Sequence, residues 1–183
     1  MKGLVFSEFI EFVEDSFSSD IADEMIDASS LSSLGAYTAV GTYNHGELLA
    51  LVTTLSRLTD TPIPHLVQTF GRHLFGRLAA GHPDFLKGVD CSFDFLQLIE
   101  NHIHVEVRKL YPDAELPSFE EARPDPNHLI LTYRSQRPFN DLAMGLIEGC
   151  VAHFKEQVQI TRQELHSSDG YAMQFDLIRQ DSI

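Results

Sequence analysis

The spacing of hydrophobic residues changes once along this chain, and that change limits the fold more than any other feature. Up to Tyr111 the apolar residues recur at helical spacing. Beyond a stretch punctuated by Pro112, Pro117, Pro124 and Pro126, strand-like segments appear. Leu4 to Phe17 places Val5, Phe6, Phe9, Ile10, Val13 and Phe17 at helical intervals, and Asp20 to Ala28 reads as a short second helix. Ser29 to Ser33, with Gly35, reads as a loop. Tyr43 to Leu58 sets Leu48, Leu51, Val52 and Leu55 on one helical face. Thr61-Pro62 opens a further helix, with Thr61 as cap and Pro62 in the first turn, running to about Ala80 and stopping at Gly81-His82-Pro83. Ser92 to Tyr111 is the longest periodic segment. His128 to Arg137 is β-rich, Leu142 to Val158 is helical, and Val158 to Leu165 and Tyr171 to Ile178 read as strands joined by a turn at Ser167-Ser168-Asp169-Gly170. The expected class is α+β, a small antiparallel sheet packed on helices. No composition break divides the 183 residues, so a single domain over 1–183 is expected.

Charge narrows the partners. The chain has 27 acidic and 13 basic side chains, a net charge of −14. Phosphate contacts dominate nucleic-acid affinity, so no nucleic acid is expected, and no docking on an anionic membrane. Residues 1–60 hold ten acids against Lys2 and Arg57, which reads as a solvated helix face or as a surface that steers a basic partner. Cys91 and Cys150 form no CxxC or CxxCH, and no repeated Cys/His pair is spaced for structural zinc. Two isolated cysteines suit a reducing compartment. The N-terminus lacks the pattern of a signal peptide, and no stretch reaches the ~18 apolar residues of a membrane span. A cytoplasmic protein is expected. Its 13 phenylalanines can fill a core or line an apolar cavity.

Two constellations carry candidate chemistry. On the Ser92–Tyr111 helix, Leu96, Ile99, Ile103, Val107 and Leu110 form a stripe. His104 falls at its edge, between Phe93, Val107 and Tyr111, whereas His102 falls on the other side near Glu106 and Lys109. His104 is thus either a metal or heme ligand or a boundary histidine satisfied by a carbonyl. In an extended strand Tyr133, Ser135 and Arg137 point to one face. A phenol, a hydroxyl and a guanidinium suit a group with two carboxylates or phosphates, or they are ordinary polar alternation on a solvent face. No GxSxG, HExxH, GxxxxGK[ST] or GxGxxG motif occurs. Cys150 sits in an apolar helix and reads as core, and Glu148 beside it forms no recognisable dyad.

Together these pieces resemble the heme–nitric oxide/oxygen binding (H-NOX) family, similar to the heme domain of soluble guanylate cyclase. The resemblance spans nearly the whole chain. It rests on Met1-Lys2-Gly3, on Tyr43 with Glu47-Leu48, and on Phe70-Gly71 with Phe75. It continues with His104 and Pro117 thirteen residues later, with Tyr133-x-Ser135-x-Arg137, and with Gly145-Leu146-Ile147-Glu148-Gly149. It implies a helical N-terminal part and a C-terminal part with an antiparallel sheet, enclosing non-covalent heme b. It implies His104 as the proximal iron ligand and Tyr133, Ser135 and Arg137 on the heme propionates. Val5, Pro117 and Leu146 match positions that press on the porphyrin.

Members that hold dioxygen stably carry a distal Tyr nine residues after the motif Tyr, a position occupied here by Leu142. Phe9 and Leu74 stand where such members have Trp and Asn. A distal wall without a hydrogen-bond donor disfavours polarised dioxygen and leaves nitric oxide as the signal, with carbon monoxide also binding. Asn140, Arg162, Leu165 and Ala172 stand where some bacterial members have Cys/His zinc ligands, so no zinc is expected. The expectation is a non-enzymatic, stand-alone bacterial sensor that signals through a separate histidine kinase or diguanylate cyclase. A heme enzyme of peroxidase or dioxygenase type, and an interaction module that has lost its heme, are the rival readings.

Overall fold

Seven α-helices and a four-stranded sheet make up residues 1–180, the part of the chain that the computed structural model describes. Helices α1 (Gly3–Ser16), α2 (Ser19–Asp27), α3 (His45–Thr59) and α4 (Ile63–Gly81) come first. A short 3₁₀ turn at Pro83–Leu86, α5 (Ser92–Gln97), a π-turn at Ile99–Ile103 and α6 (His104–Leu110) follow. The C-terminal part holds β1 (Ser118–Asp125), β2 (His128–Ser135), α7 (Asn140–His153), β3 (Val158–Leu165) and β4 (Tyr171–Arg179). The sheet order is β1-β2-β4-β3 with every pair antiparallel, the α+β arrangement that the sequence implies. Among the described residues no helix is long and apolar enough to cross a membrane.

Two apolar clusters result. Phe6, Phe9, Phe12, Met25, Leu51, Leu55 and Phe70 centre one among α1 to α4. In the other, Leu129, Leu131 and Tyr133 of β2 sit opposite Leu177, Phe175 and Met173 of β4, so the inward set of each strand buries together beneath α5 and α7. The acids of α1 and α2, from Glu11 to Asp27, are exposed and form a solvated face. Glu8 and Glu47 are buried instead. Glu8 meets Arg77 at 2.6 Å. Glu47 accepts hydroxyl bonds from Ser32, Ser33 and Tyr37 at 2.5, 2.5 and 2.7 Å, and so ties the 29–44 loop to α3.

The two parts are joined where α4 crosses α7 at unusually close range. A Cβ on Gly145 would stand 2.0 Å from the Gln68 carbonyl oxygen, and one on Gly71 2.6 Å from that of Leu142. Across the same crossing Gln68 donates to Glu148 at 2.8 Å, and Arg72 lies 3.4 Å from it.

The structure differs from the sequence expectations at five places, one of them the end of β2, which stops at Ser135 and leaves Arg137 in a bend. Thr61 does not cap α4, because Pro62, in extended backbone, takes that position and its carbonyl accepts from Leu66 at 3.1 Å. The Thr61 hydroxyl donates to Thr59 instead. The Ser92–Tyr111 segment is not one helix. The Leu98 carbonyl accepts both His102 N–H at 2.9 Å and Ile103 N–H at 3.0 Å, which shifts the register into a π-turn before α6 begins. Helix α7 stops at His153, not Val158, because Lys155 turns left-handed and Glu156 N–H returns to Val151. Strand β1 lies within the proline-punctuated loop region. It is an exposed edge strand carrying Glu120 and Glu121, with an irregular register between Ala122 and Asp125 around Pro124, features that edges tolerate and that hide the alternation.

Candidate functional site

A cavity of about 370 Å³ opens between the two clusters, within the range of roughly 300–1,000 Å³ usual for bound small molecules. Its walls come from α1 (Leu4, Val5), α4 (Leu74, Phe75, Leu78), the α5–α6 segment, β1 and β2 (Phe119, Tyr133) and α7 (Leu142, Leu146, Ile147). All five stripe residues, Leu96, Ile99, Ile103, Val107 and Leu110, face it. The stripe therefore borders a void as much as a core, a distinction that periodicity does not encode.

His104 and His102 part company at the π-turn. His104 opens α6, is buried at 9% exposure, and lies on the cavity wall. His102 is exposed. Burial lowers the pKa of His104 against an opposing pull from Glu100, which favours the neutral imidazole. Its Nδ1 lies 3.1 Å from Glu100 Oε2. That same oxygen accepts the Phe119 N–H at 3.1 Å, and Oε1 accepts from Arg108 at 3.4 Å. Burial alone would raise the Glu100 carboxyl, but the Phe119 amide, His104 and Arg108 together hold it below its ordinary value. Glu100 escaped the sequence reading, although its position four residues before a buried histidine, on the same helical face, was a usable signal.

Tyr133 and Ser135 alternate at the end of β2, Arg137 follows in a bend beyond the strand rather than in it, and all three line the cavity. The Ser135 hydroxyl oxygen accepts the Arg137 N–H at 3.0 Å. Burial raises the Tyr133 phenol, which therefore stays a donor at neutral pH. The Arg137 guanidinium is 14% exposed and pairs with the exposed Glu115. Pro117, Val5 and Leu146 lie on the walls. Leu74 and Leu142 also line the cavity, but Phe9 does not: it is fully buried in the N-terminal cluster, edge-on to Phe70 with ring centroids 5.0 Å apart. His73 likewise lies off the lining, between the Phe12 ring and Glu8, whose Oε2 is 3.9 Å away.

This donor set fits a particular class of occupant. Of the two imidazoles on the lining, His82 is exposed, whereas His104 is buried with its Nδ1 engaged by a carboxylate, which leaves Nε2 for a metal. The walls around it are apolar. Arg137 and Ser135 stand at the end where exposed Asp113 and Glu115 meet solvent, a place for acidic arms. A flat apolar macrocycle with a central metal and carboxylate arms matches each feature.

A family model described as haem-NO-binding matches residues 2–162. The chain belongs to the haem-NO-binding family. Solved relatives of this family agree along the whole length. The chain is similar to the Fe(II) unliganded H-NOX protein from K. algicida, at 37% identity and a TM-score of 0.92 over 100% of this chain and 98% of that one. It is also similar to the IWP-051-bound H-NOX from Shewanella woodyi in the Fe(II)CO ligation state, at 42% identity and a TM-score of 0.84 over 98% and 95%. An H-NOX protein from S. oneidensis in the Fe(II)NO ligation state matches at 27% identity and a TM-score of 0.89 over 99% and 100%. A comparison with curated proteins returns no match.

Where some H-NOX members were expected to carry zinc ligands, Asn140 opens α7, Arg162 pairs with Asp141 at 2.5 Å, and Leu165 faces Ala172 across β3 and β4. Among the described residues no group of three or more His, Cys, Asp or Glu side chains is placed to hold a metal ion. Cys91 and Cys150 are free thiols, and burial pushes the Cys150 thiol well up, as suits a core residue.

Proposed function

We propose that this H-NOX protein is a non-enzymatic nitric oxide sensor that holds heme b non-covalently, with His104 as the proximal ligand. The observation that carries the reading is a single buried, neutral imidazole on the wall of an apolar cavity whose solvent end bears Ser135 and Arg137. The Fe(II)NO and Fe(II)CO states of related H-NOX proteins support gas binding at ferrous iron. Heme supplies the iron to which the gas binds. Tyr133, Ser135 and Arg137 hold the propionates, Arg137 exchanging Glu115 for a carboxylate arm that it can grip with two N–H groups. Val5, Pro117 and Leu146, on the cavity walls, would bound the space that the ring takes. Leu74 and Leu142 form the distal wall, exclude water and offer no proton donor, which argues against peroxidase or dioxygenase chemistry. The intact donor set argues against a module that has lost its cofactor.

Signalling follows from His104. His104, held at Nδ1 by Glu100, would be the residue whose hold on the heme iron nitric oxide weakens. Because His104 opens α6, beside the π-turn and β1, a weaker hold would shift the protein between two states in which the parts joined at the α4–α7 crossing are differently placed. A separate partner in the bacterial cytoplasm, a histidine kinase or a diguanylate cyclase, reads the difference in population between the two states. No zinc enters this scheme.

The test is the spectrum of the reduced protein. Exposed to air it is expected to form no lasting dioxygen complex, while nitric oxide binds tightly and carbon monoxide measurably. Leu142→Tyr puts a phenol on the cavity wall, where a neutral hydrogen bond is worth about 0.5–1.5 kcal/mol and more to a polarised oxygen, and is expected to slow dioxygen release. A long-lived oxy spectrum in the wild type would overturn nitric oxide selectivity. Arg137→Ala is expected to speed heme dissociation roughly ten- to a hundredfold, the equivalent of ~1.5–3 kcal/mol for a bond to a charged group, with the fold retained. Unchanged dissociation would remove Arg137 from the propionate site.

A further inference from the structure

We infer that Glu100 is the positioning residue that selects the tautomer of His104 and sets how firmly its imidazole holds iron, and so governs how readily nitric oxide detaches it. The inference deepens the heme reading above and rests on it.

The carboxylate is fixed from three directions. Its own backbone lies in the π-turn, the Phe119 amide of β1 donates to Oε2 at 3.1 Å, and Arg108 of α6 donates to Oε1 at 3.4 Å. Its fourth contact is His104 Nδ1, 3.1 Å from Oε2. An ionised carboxylate only accepts hydrogen bonds, so Nδ1 carries the proton and the lone pair is left on Nε2. The arrangement does more than orient a ring. An anionic acceptor on one nitrogen raises the basicity of the other and strengthens its bond to a metal. A stronger bond to His104 opposes the detachment on which signalling depends. Arg108 and the Phe119 amide draw on the same charge, so they moderate the effect. Glu100 pushes toward a retained histidine, and Arg108 pulls the other way.

This geometry links three elements. β1 holds Glu100 through one backbone amide, so a displacement of α6 after His104 detaches is felt directly at the sheet edge. The contact has a local and a tertiary part: residues 100 and 104 stand four apart along the chain, whereas residue 119 meets them because the π-turn and the edge strand pack together.

Three variants test the inference, each first checked for native circular dichroism. Glu100→Gln keeps an acceptor and removes the charge. Glu100→Leu removes both. Arg108→Ala removes the competing cation. In the apoprotein, nitrogen-15 shifts of the His104 ring are expected to report the Nδ1–H tautomer in the wild type and a mixture in Glu100→Leu. In the ferrous heme protein, the iron–histidine stretching frequency is expected to fall in Glu100→Gln and Glu100→Leu and to rise in Arg108→Ala. The nitric oxide complex should shift toward the five-coordinate form in the first two and away from it in the third. Opposite signs at residues 100 and 108 would not arise from a merely structural role. An unchanged tautomer in Glu100→Leu, or an unchanged stretching frequency in both Glu100 variants, overturns the inference. A wild-type protein that takes up no heme defeats the parent reading alone, because the apoprotein tautomer still reports on Glu100.

Discussion

Replacing His104 with alanine is expected to leave a folded protein that purifies with little or no heme, unless imidazole is supplied during expression to fill the space and donate to iron. The side chain lies beside an existing cavity, and its hydrogen-bond partner Glu100 keeps the Phe119 amide and Arg108. Circular dichroism should therefore stay near wild type while the heme absorbance disappears. His102→Ala is the control. That residue is exposed, so its spectrum should match wild type. Loss of heme from His102→Ala with retention in His104→Ala would put the π-turn in the wrong register and undo the assignment of the ligand.

The second large effect is structural. Gly145→Val is expected to lower stability by ~3 kcal/mol or more, the upper range for overpacking, because its Cβ would meet the Gln68 carbonyl at 2.0 Å and the Gly71 Cα at 2.9 Å, both backbone atoms that no rotamer can clear. For a chain of this size that corresponds to a fall in melting temperature of roughly 6–12 °C. A Cβ on Gly76, in the facing helix α4, would meet nothing within 4 Å, so Gly76→Ala should instead raise stability by about 0.5–1 kcal/mol through helix propensity. Thermal melts of the two variants, read against wild type, check both signs. A tolerated Gly145→Val would mean that α4 and α7 can part at little cost, and that their crossing does not bind the two parts of the molecule.

Much of the site was legible in the chain because its chemistry is local. Tyr133 and Ser135 alternate along one strand, so their sharing a face follows from the period of two, whereas Arg137 lies past the strand's end and reaches the cavity through a bend whose N–H bonds the Ser135 hydroxyl. His104 falls at the edge of an apolar helical stripe, which turns it toward a packed surface and His102 away from it. The close glycines, Gly71 and Gly145, stood out as motif residues, although nothing local says what approaches them. Phe9 shows the limit. Its helical position predicts burial, and it is fully buried, but against Phe70 and not on the cavity wall. Strand β1 was hidden because an edge strand pairs on one side only and tolerates the acids and the proline that mask alternation.

The sequence by itself determined which faces are apolar, the order of helices and strands, and the donor types that stand ready for an iron and for carboxylates. These are properties of spacing and side-chain chemistry within about twenty residues. Only the tertiary structure decided that the apolar faces of α1, α4, α6 and α7 stop short of one another and leave a cavity, because a void is a difference between surfaces contributed by distant segments. The packing also decided that Leu98 shares its carbonyl between two amides, that the turn so widened delivers His104 to the wall, and that the Phe119 amide fixes the Glu100 carboxylate beside it. Periodicity names the face that a residue occupies. What stands across from that face is set by the close packing of the whole chain.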